Sequence, residues 1–233
     1  MSIYSIIFHM KNKILVVAIS LLTLVLTQPL KADDSSASYA KEGFYVGTEL
    51  GGTVVPNVFL GDVFQTGDNL SVDFNPGIRF DLPIGYRFNE WISMEFAPGV
   101  MWNSMNAIQN DNTGASVSLG GNLVQVPLLV NFILTIPTNS KWEPYVGGGI
   151  GGLFSYMDFT EFNSLSLPEN SGTSWALGYS AIAGLNYHIS RDMSFGFNYK
   201  FTGTGTQNWT GDYDGLSTNV YTHSASLSAT FRF

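Results

Sequence analysis

Seven charged side chains, Glu49, Arg79, Asp81, Arg87, Glu95, Lys200 and Arg232, stand where the alternation of an extended chain would aim them all to one side. Four basic and three acidic groups that share an interior can pair into a polar filling. Alternatively they can line a constriction that selects among small solutes, and for that role Glu49, Arg79, Glu95 and Lys200 are the candidates. An unpaired ion in a narrow interior is costly, so partners or trapped water are required either way.

Other reactive chemistry is scarce. The absence of cysteine excludes disulfides, thiolate metal sites and cysteine nucleophiles. His223 and Ser224 are adjacent, and adjacent residues of a strand face opposite ways, which is poor placement for a base and its nucleophile. His188 has no second histidine with which to hold a metal, and Asp212 and Asp214 lack the ligand run of a calcium loop. No catalytic residue, cofactor or metal is therefore assigned.

The elements that must position these charges repeat with period two. From Ile78 to Phe88, the residues Ile78, Phe80, Leu82, Ile84, Tyr86 and Phe88 oppose Arg79, Asp81, Pro83, Gly85 and Arg87. Equivalent alternation is read at about 44–53, 93–102, 124–132, 144–154, 177–188, 193–201 and 224–233. These are eight strands of a length that spans a bilayer, where about 9–11 tilted residues suffice. Three connections are short (89–90, 135–141, 190–192) and four are long (54–73, 103–121, 157–174, 202–221). The expected fold is all-β, an eight-stranded antiparallel transmembrane up-and-down β-barrel, because an open edge in hydrocarbon would leave its amides unpaired. A soluble calyx would have to direct six large apolar side chains of residues 78–88 into a small interior.

Composition agrees with that expectation. Charged residues make up 12% and aromatics 14% of the 233 residues, against about 25% charged in ordinary soluble domains. Lys11 and Lys13, the apolar run from Ile14 to Leu26 and the stretch Pro29 to Ala32 follow the order of a secretory signal, giving a signal peptide at 1–32, a short periplasmic segment at 33–42 and the barrel at 43–233. Cleavage near Ala37 or Ala40 and a start at Met10 are alternatives. Without residues 1–32 the chain keeps seven basic and 18 acidic side chains, a formal charge of −11, which excludes a nucleic-acid footprint. The long connections hold Asp62, Asp68, Asp73, Asp111, Asp158, Glu161, Glu169, Asp212 and Asp214 and no Lys or Arg. Trp91 and Trp142 fall at one end of the expected strands and Trp102 and Trp175 at the other, as interfacial girdles do.

Several stretches carry a family likeness: Gly43 to Gly51, Pro83 to Phe88 leading to Phe96, Val126 to Asn131, Pro144 to Gly152, Gly184 to Tyr187 and Phe231 to Phe233. On these the sequence resembles the small eight-stranded bacterial outer-membrane barrels that include the transmembrane part of outer-membrane protein A, the opacity-type proteins and "porin family" proteins. The resemblance implies a Gram-negative outer membrane, lipid and lipopolysaccharide as surroundings, a monomer, and Phe231 and Phe233 as a signal for the barrel-assembly machinery. It implies a structural or surface-interaction role, with a narrow channel as the alternative and a lipid-active enzyme as a distant third. Outer-membrane lipid A deacylases use a His-x-Ser spacing that would need serine at 225, where this chain has Ala225.

Overall fold

The computed structural model describes residues 41–61, 69–138, 140–162, 165–212 and 216–233. The expected signal peptide and residues 33–40 lie outside the described residues, as do Asp62, Asp68 and Asp214 and the side chain of Glu169. The elements are β1 (Gly43–Val54), β2 (Val58–Gly61), β3 (Leu70–Phe74), β4 (Gly77–Asp81), β5 (Ile84–Arg87), β6 (Ile92–Asn110), β7 (Ser116–Thr135), β8 (Trp142–Phe162), β9 (Leu165–His188), β10 (Met193–Thr204), β11 (Gln207–Asn208), β12 (Thr210–Gly211), β13 (Ser217–Thr218) and β14 (Tyr221–Arg232).

Every pairing is antiparallel. β6 pairs with β7, and the sequence of neighbours continues through β8, β9, β10 and β14 to β1. β1 pairs with β4 and β5, which both pair with the first half of β6. The expected strand at 78–88 is thus divided into β4 and β5 around Leu82-Pro83. Proline has no amide hydrogen to give a ladder, yet the register carries through, because Gly47 donates to the Pro83 carbonyl at 2.8 Å and Leu82 donates to the Pro98 carbonyl at 2.9 Å.

The short turns form where polar side chains can cap backbone amides. Asn89 Oδ1 accepts from the amides of Trp91 and Ile92, and Ser190 Oγ accepts from Met193. The same device ends a longer hairpin. Asn110 Oδ1 accepts from Asn112 and Thr113, and Gly114 at φ +72° closes the turn into β7.

That hairpin corrects the expected connections. Residues 103–121 are strand except for 111–115, and strand covers 157–162 and 165–174 where a long loop was expected. The connection at 54–73 contains β2 and β3, with β3 paired to the far half of β6, and the one at 202–221 contains β11, β12 and β13. Polar residues interrupt the apolar face of these extensions, and a strand with so broken an alternation gives only a weak period-two signal.

One face of the sheet is inverted relative to a water-soluble protein. Leu227 is 70% exposed, and Phe44, Leu50, Ile78, Ile84, Phe96, Phe132, Ile150, Leu177 and Phe197 are exposed with it. The residues between them in sequence point to the buried face, where Lys200, Asp81, Arg79, Asn131 and Asn198 are nearly inaccessible.

Candidate functional site

The buried face gathers all seven sequence-derived charges. Lys200 on β10 places its ammonium 2.9 Å from Glu49 on β1 and 2.8 Å from Asp81 on β4. Asp81 also receives Arg79 Nε at 2.7 Å. Arg79 completes its donors on Thr202 Oγ1 at 3.0 Å and Ser224 Oγ at 3.3 Å, so groups from β1, β4, β10 and β14 meet in one cluster. Asp81 is fully inaccessible and fits only because its neighbour is glycine: a Cβ at Gly99 would come within 1.8 Å of Asp81 Oδ1.

A second pair lies nearer the short turns. Arg87 grips Glu143 through two parallel hydrogen bonds of 3.0 Å each, the geometry that suits a guanidinium and a carboxylate. It also donates to the carbonyls of Asn89 at 3.1 Å and Glu90 at 2.8 Å, tying the turn before β6 to the start of β8. His188 Nε2 stands 3.3 Å from the same Glu143. Glu143 is the residue that sequence reasoning missed. The alternation of β8 extends one step back from Tyr145 to position 143, one residue before the strand that the sequence predicts at 144–154. With Glu143 the seven become four basic and four acidic groups, and Asp158 on the far half of β8 is a further buried carboxylate.

Glu95 and Arg232 take no direct part in those pairs. Glu95 accepts the Tyr45 hydroxyl at 2.9 Å and the Asn131 amide at 3.0 Å, and Asn131 in turn accepts from Ser180 at 3.0 Å. This row crosses six strands because two of its positions are empty. Gly85 is the register partner of both Tyr45 and Glu95, and a Cβ there would lie 2.4 Å from the Tyr45 ring. Gly149 stands likewise between Asn131 and Ser180. Arg232, the register partner of Tyr45, donates to Ser194 Oγ at 3.0 Å.

Between these rows is a cavity of about 50 Å³ whose lining includes Tyr45, Glu49, Glu95, Glu143, Tyr145 and Arg232. Beyond the Lys200 cluster, away from the short turns, the interior turns apolar. Val55, Val58, Val72, Met105, Leu119, Leu123, Met157, Trp209 and Val220 form one buried cluster. Its members come from β2, β3, the far halves of β6, β7 and β8, and the connections after β1 and β10. Trp209, which falls within the expected connection at 202–221, is its largest member and is 2% exposed. Gln207 beside it donates to Ser155 Oγ at 2.8 Å.

The other singled-out residues lie on the exposed face or at its margins. Trp91, Trp142 and Trp175 are exposed, and Trp102 is half-buried with its indole N–H on Asn122 at 2.9 Å. Phe231 and Phe233 meet edge to face with centroids 5.1 Å apart, and the Phe233 amide donates to the Phe44 carbonyl at 2.9 Å. Acidic residues of the expected connections are largely engaged: Asp73 accepts from Gln109, Asp111 from Ser71, Asp158 from Asn122 and Asp212 from the Ser171 amide.

The described residues assemble no catalytic constellation. His223 Nδ1 sits on the exposed face 2.6 Å from the Tyr199 hydroxyl, while Ser224 points to the buried face and is held by Arg79. Among the described residues no three His, Asp or Glu side chains are placed to hold a metal.

The model of a family described as "Outer membrane protein beta-barrel domain" matches residues 18–233. No curated protein matches the sequence. Among solved structures, Neisserial surface protein A is similar with 17% identity and a TM-score of 0.52, covering 82% of this chain and 97% of its own. The outer membrane protein OprG of Pseudomonas aeruginosa is similar with 14% identity and a TM-score of 0.52, covering 84% of this chain and 100% of its own. At such identities the likeness is one of fold.

Proposed function

From the premise that the chain belongs to the outer membrane protein beta-barrel domain family, we propose that it is a non-enzymatic barrel of eight spanning strands in a Gram-negative outer membrane, with a structural or surface-interaction role. The eight strands are β1, the β4–β5 pair counted as one, β6, β7, β8, β9, β10 and β14. Their pairings lead from β6 around to β6 again, which supports closure.

One observation carries the reading: large apolar side chains cover the exposed face while ion pairs fill the buried one. Water would penalise the first and leave the second unexplained, whereas a bilayer favours both. The short turns then face the periplasm. The β6–β7 and β8–β9 hairpins and the connections containing β2, β3 and β11 to β13 project outside the cell, carrying the acidic residues of those segments.

The filling of the interior favours a structural role over a channel. A salt-bridged layer and an apolar cluster succeed one another along it, and either alone obstructs a hydrated ion. The surroundings would be outer-membrane lipid and lipopolysaccharide, and Phe231 and Phe233 would serve assembly. A direct test of topology uses the absence of cysteine. Asn112→Cys, at the tip of the β6–β7 hairpin, is expected to react with a membrane-impermeant maleimide on intact cells, and Asn89→Cys only after the outer membrane is opened. The reverse labelling pattern would overturn the orientation, and labelling of neither in envelopes that contain the protein would overturn the surface role.

A further inference from the structure

Of the four basic and four acidic groups described above, six are held in ion pairs. Glu95 and Arg232 are the two for which no oppositely charged group stands within ion-pair distance among the described residues. Both are more than nine-tenths buried, and both line the cavity on the short-turn side of the Lys200 cluster. Tyr45 lies between them, its backbone paired to Arg232 and its hydroxyl on Glu95. Arg232 spends one of its five donors on Ser194 and lines the cavity.

The lining also holds Glu49, Arg87 and Glu143, but these are taken up in ion pairs. The charges left to a solute are therefore Glu95 and Arg232 on opposite sides of Tyr45, which matches a solute carrying both charges. Either ion alone is a poor invitation, since a simple cation would satisfy Glu95 and leave Arg232 unpaired, and an anion would do the reverse. The volume limits the size. At about 50 Å³ it holds roughly three to five waters, the space that a solute as small as glycine or alanine displaces.

We infer that the periplasmic half of the interior is a binding site for a small zwitterion of the amino-acid type, with Arg232 taking the carboxylate and Glu95 the ammonium. Entry is from the short-turn side, past the Arg87–Glu143 pair, because the Lys200 cluster and the Trp209 cluster fill the other. Glycine is the simplest probe, and the site rests on the enclosed interior of the proposed barrel while adding a ligand to it.

The test is titration of the full refolded protein in detergent micelles with glycine, read by NMR shifts of tyrosine ring and arginine side-chain signals. Saturable shifts in the millimolar range are expected, with acetate and methylammonium each at least tenfold weaker. Glu95→Gln and Arg232→Gln should each weaken glycine binding at least tenfold, while Lys141→Gln, exposed in a turn, should leave it unchanged. Heat-modifiable migration verifies that each variant is folded, and the acetate and methylammonium arms need no variant. Equal binding of the singly charged probes, absence of saturation, or full binding by a folded Glu95→Gln variant would each overturn the site. A glycine-silent protein that still migrates as a heat-modifiable barrel would sink this inference and leave the functional reading standing.

Discussion

Lys200 and Asp81 are 119 residues apart in sequence and meet at 2.8 Å in the interior, with Glu49 and Arg79 completing the cluster. A lysine that is 1% exposed is tolerated there only because two carboxylates take up its charge, and it binds β10 to both β1 and β4. Removing it would strand those carboxylates. Lys200→Met is expected to lower stability by about 3–5 kcal/mol, the usual cost of breaking a buried pair from one side. Adding Asp81→Asn to it should recover part of the loss. Urea unfolding in lipid vesicles, followed by tryptophan fluorescence, measures both, and a loss below about 1 kcal/mol would contradict a supporting role for the cluster.

Tyr45, Gly85 and Glu95 form a unit in which the glycine is an open lane. Tyr45→Phe removes a hydroxyl from a buried carboxylate and should cost about 1–3 kcal/mol. In Gly85→Ala the new Cβ would press on the tyrosine ring and on the Met94 carbonyl, costing a further ~1–3 kcal/mol. The two effects should not add, because the displaced ring has already left Glu95. Additive losses in a double-mutant cycle would show that the tyrosine reaches Glu95 by another route.

Trp209 anchors the apolar cluster at the end away from the short turns. Trp209→Ala is expected to cost about 3–5 kcal/mol locally. Its effect should appear as faster protease cleavage in the connection between β10 and β14, since the spanning strands do not depend on that cluster. Unchanged cleavage together with loss of heat-modifiable migration would place Trp209 in the spanning core instead.

Phe233 is exposed, so its side chain gives the finished fold little burial. Phe233→Ala should therefore reduce the heat-modifiable form recovered from cells, yet leave urea unfolding of the refolded protein within about 0.5 kcal/mol of the parent. Equal recovery in cells would remove the assembly role of the terminal aromatic.

The residues that were legible in the sequence are those whose two faces meet different surroundings. From Ile78 to Phe88 every side chain lies on the face that alternation assigns to it, because hydrocarbon on one side and ions on the other leave no ambiguity. Glu143 was lost by a boundary error of one residue, the commonest failing of strand limits. The outer halves of β6, β7, β8 and β9 were lost for a different reason. Asn103, Ser104, Asn106, Gln109 and Asn110 give a mostly polar run in which Met105, Ala107 and Ile108 are the few apolar marks. The cluster around Trp209 draws single residues from several connections, and no local period can announce a contact assembled in that way.

Planar-bilayer recording measures the central claim most directly, because a filled interior and a conducting one differ in current and not merely in degree. With the salt-bridged layer and the Trp209 cluster both in place, the refolded protein is expected to insert without producing current steps. Reproducible ohmic steps from protein verified as heat-modifiable would contradict a sealed interior and make the chain a channel.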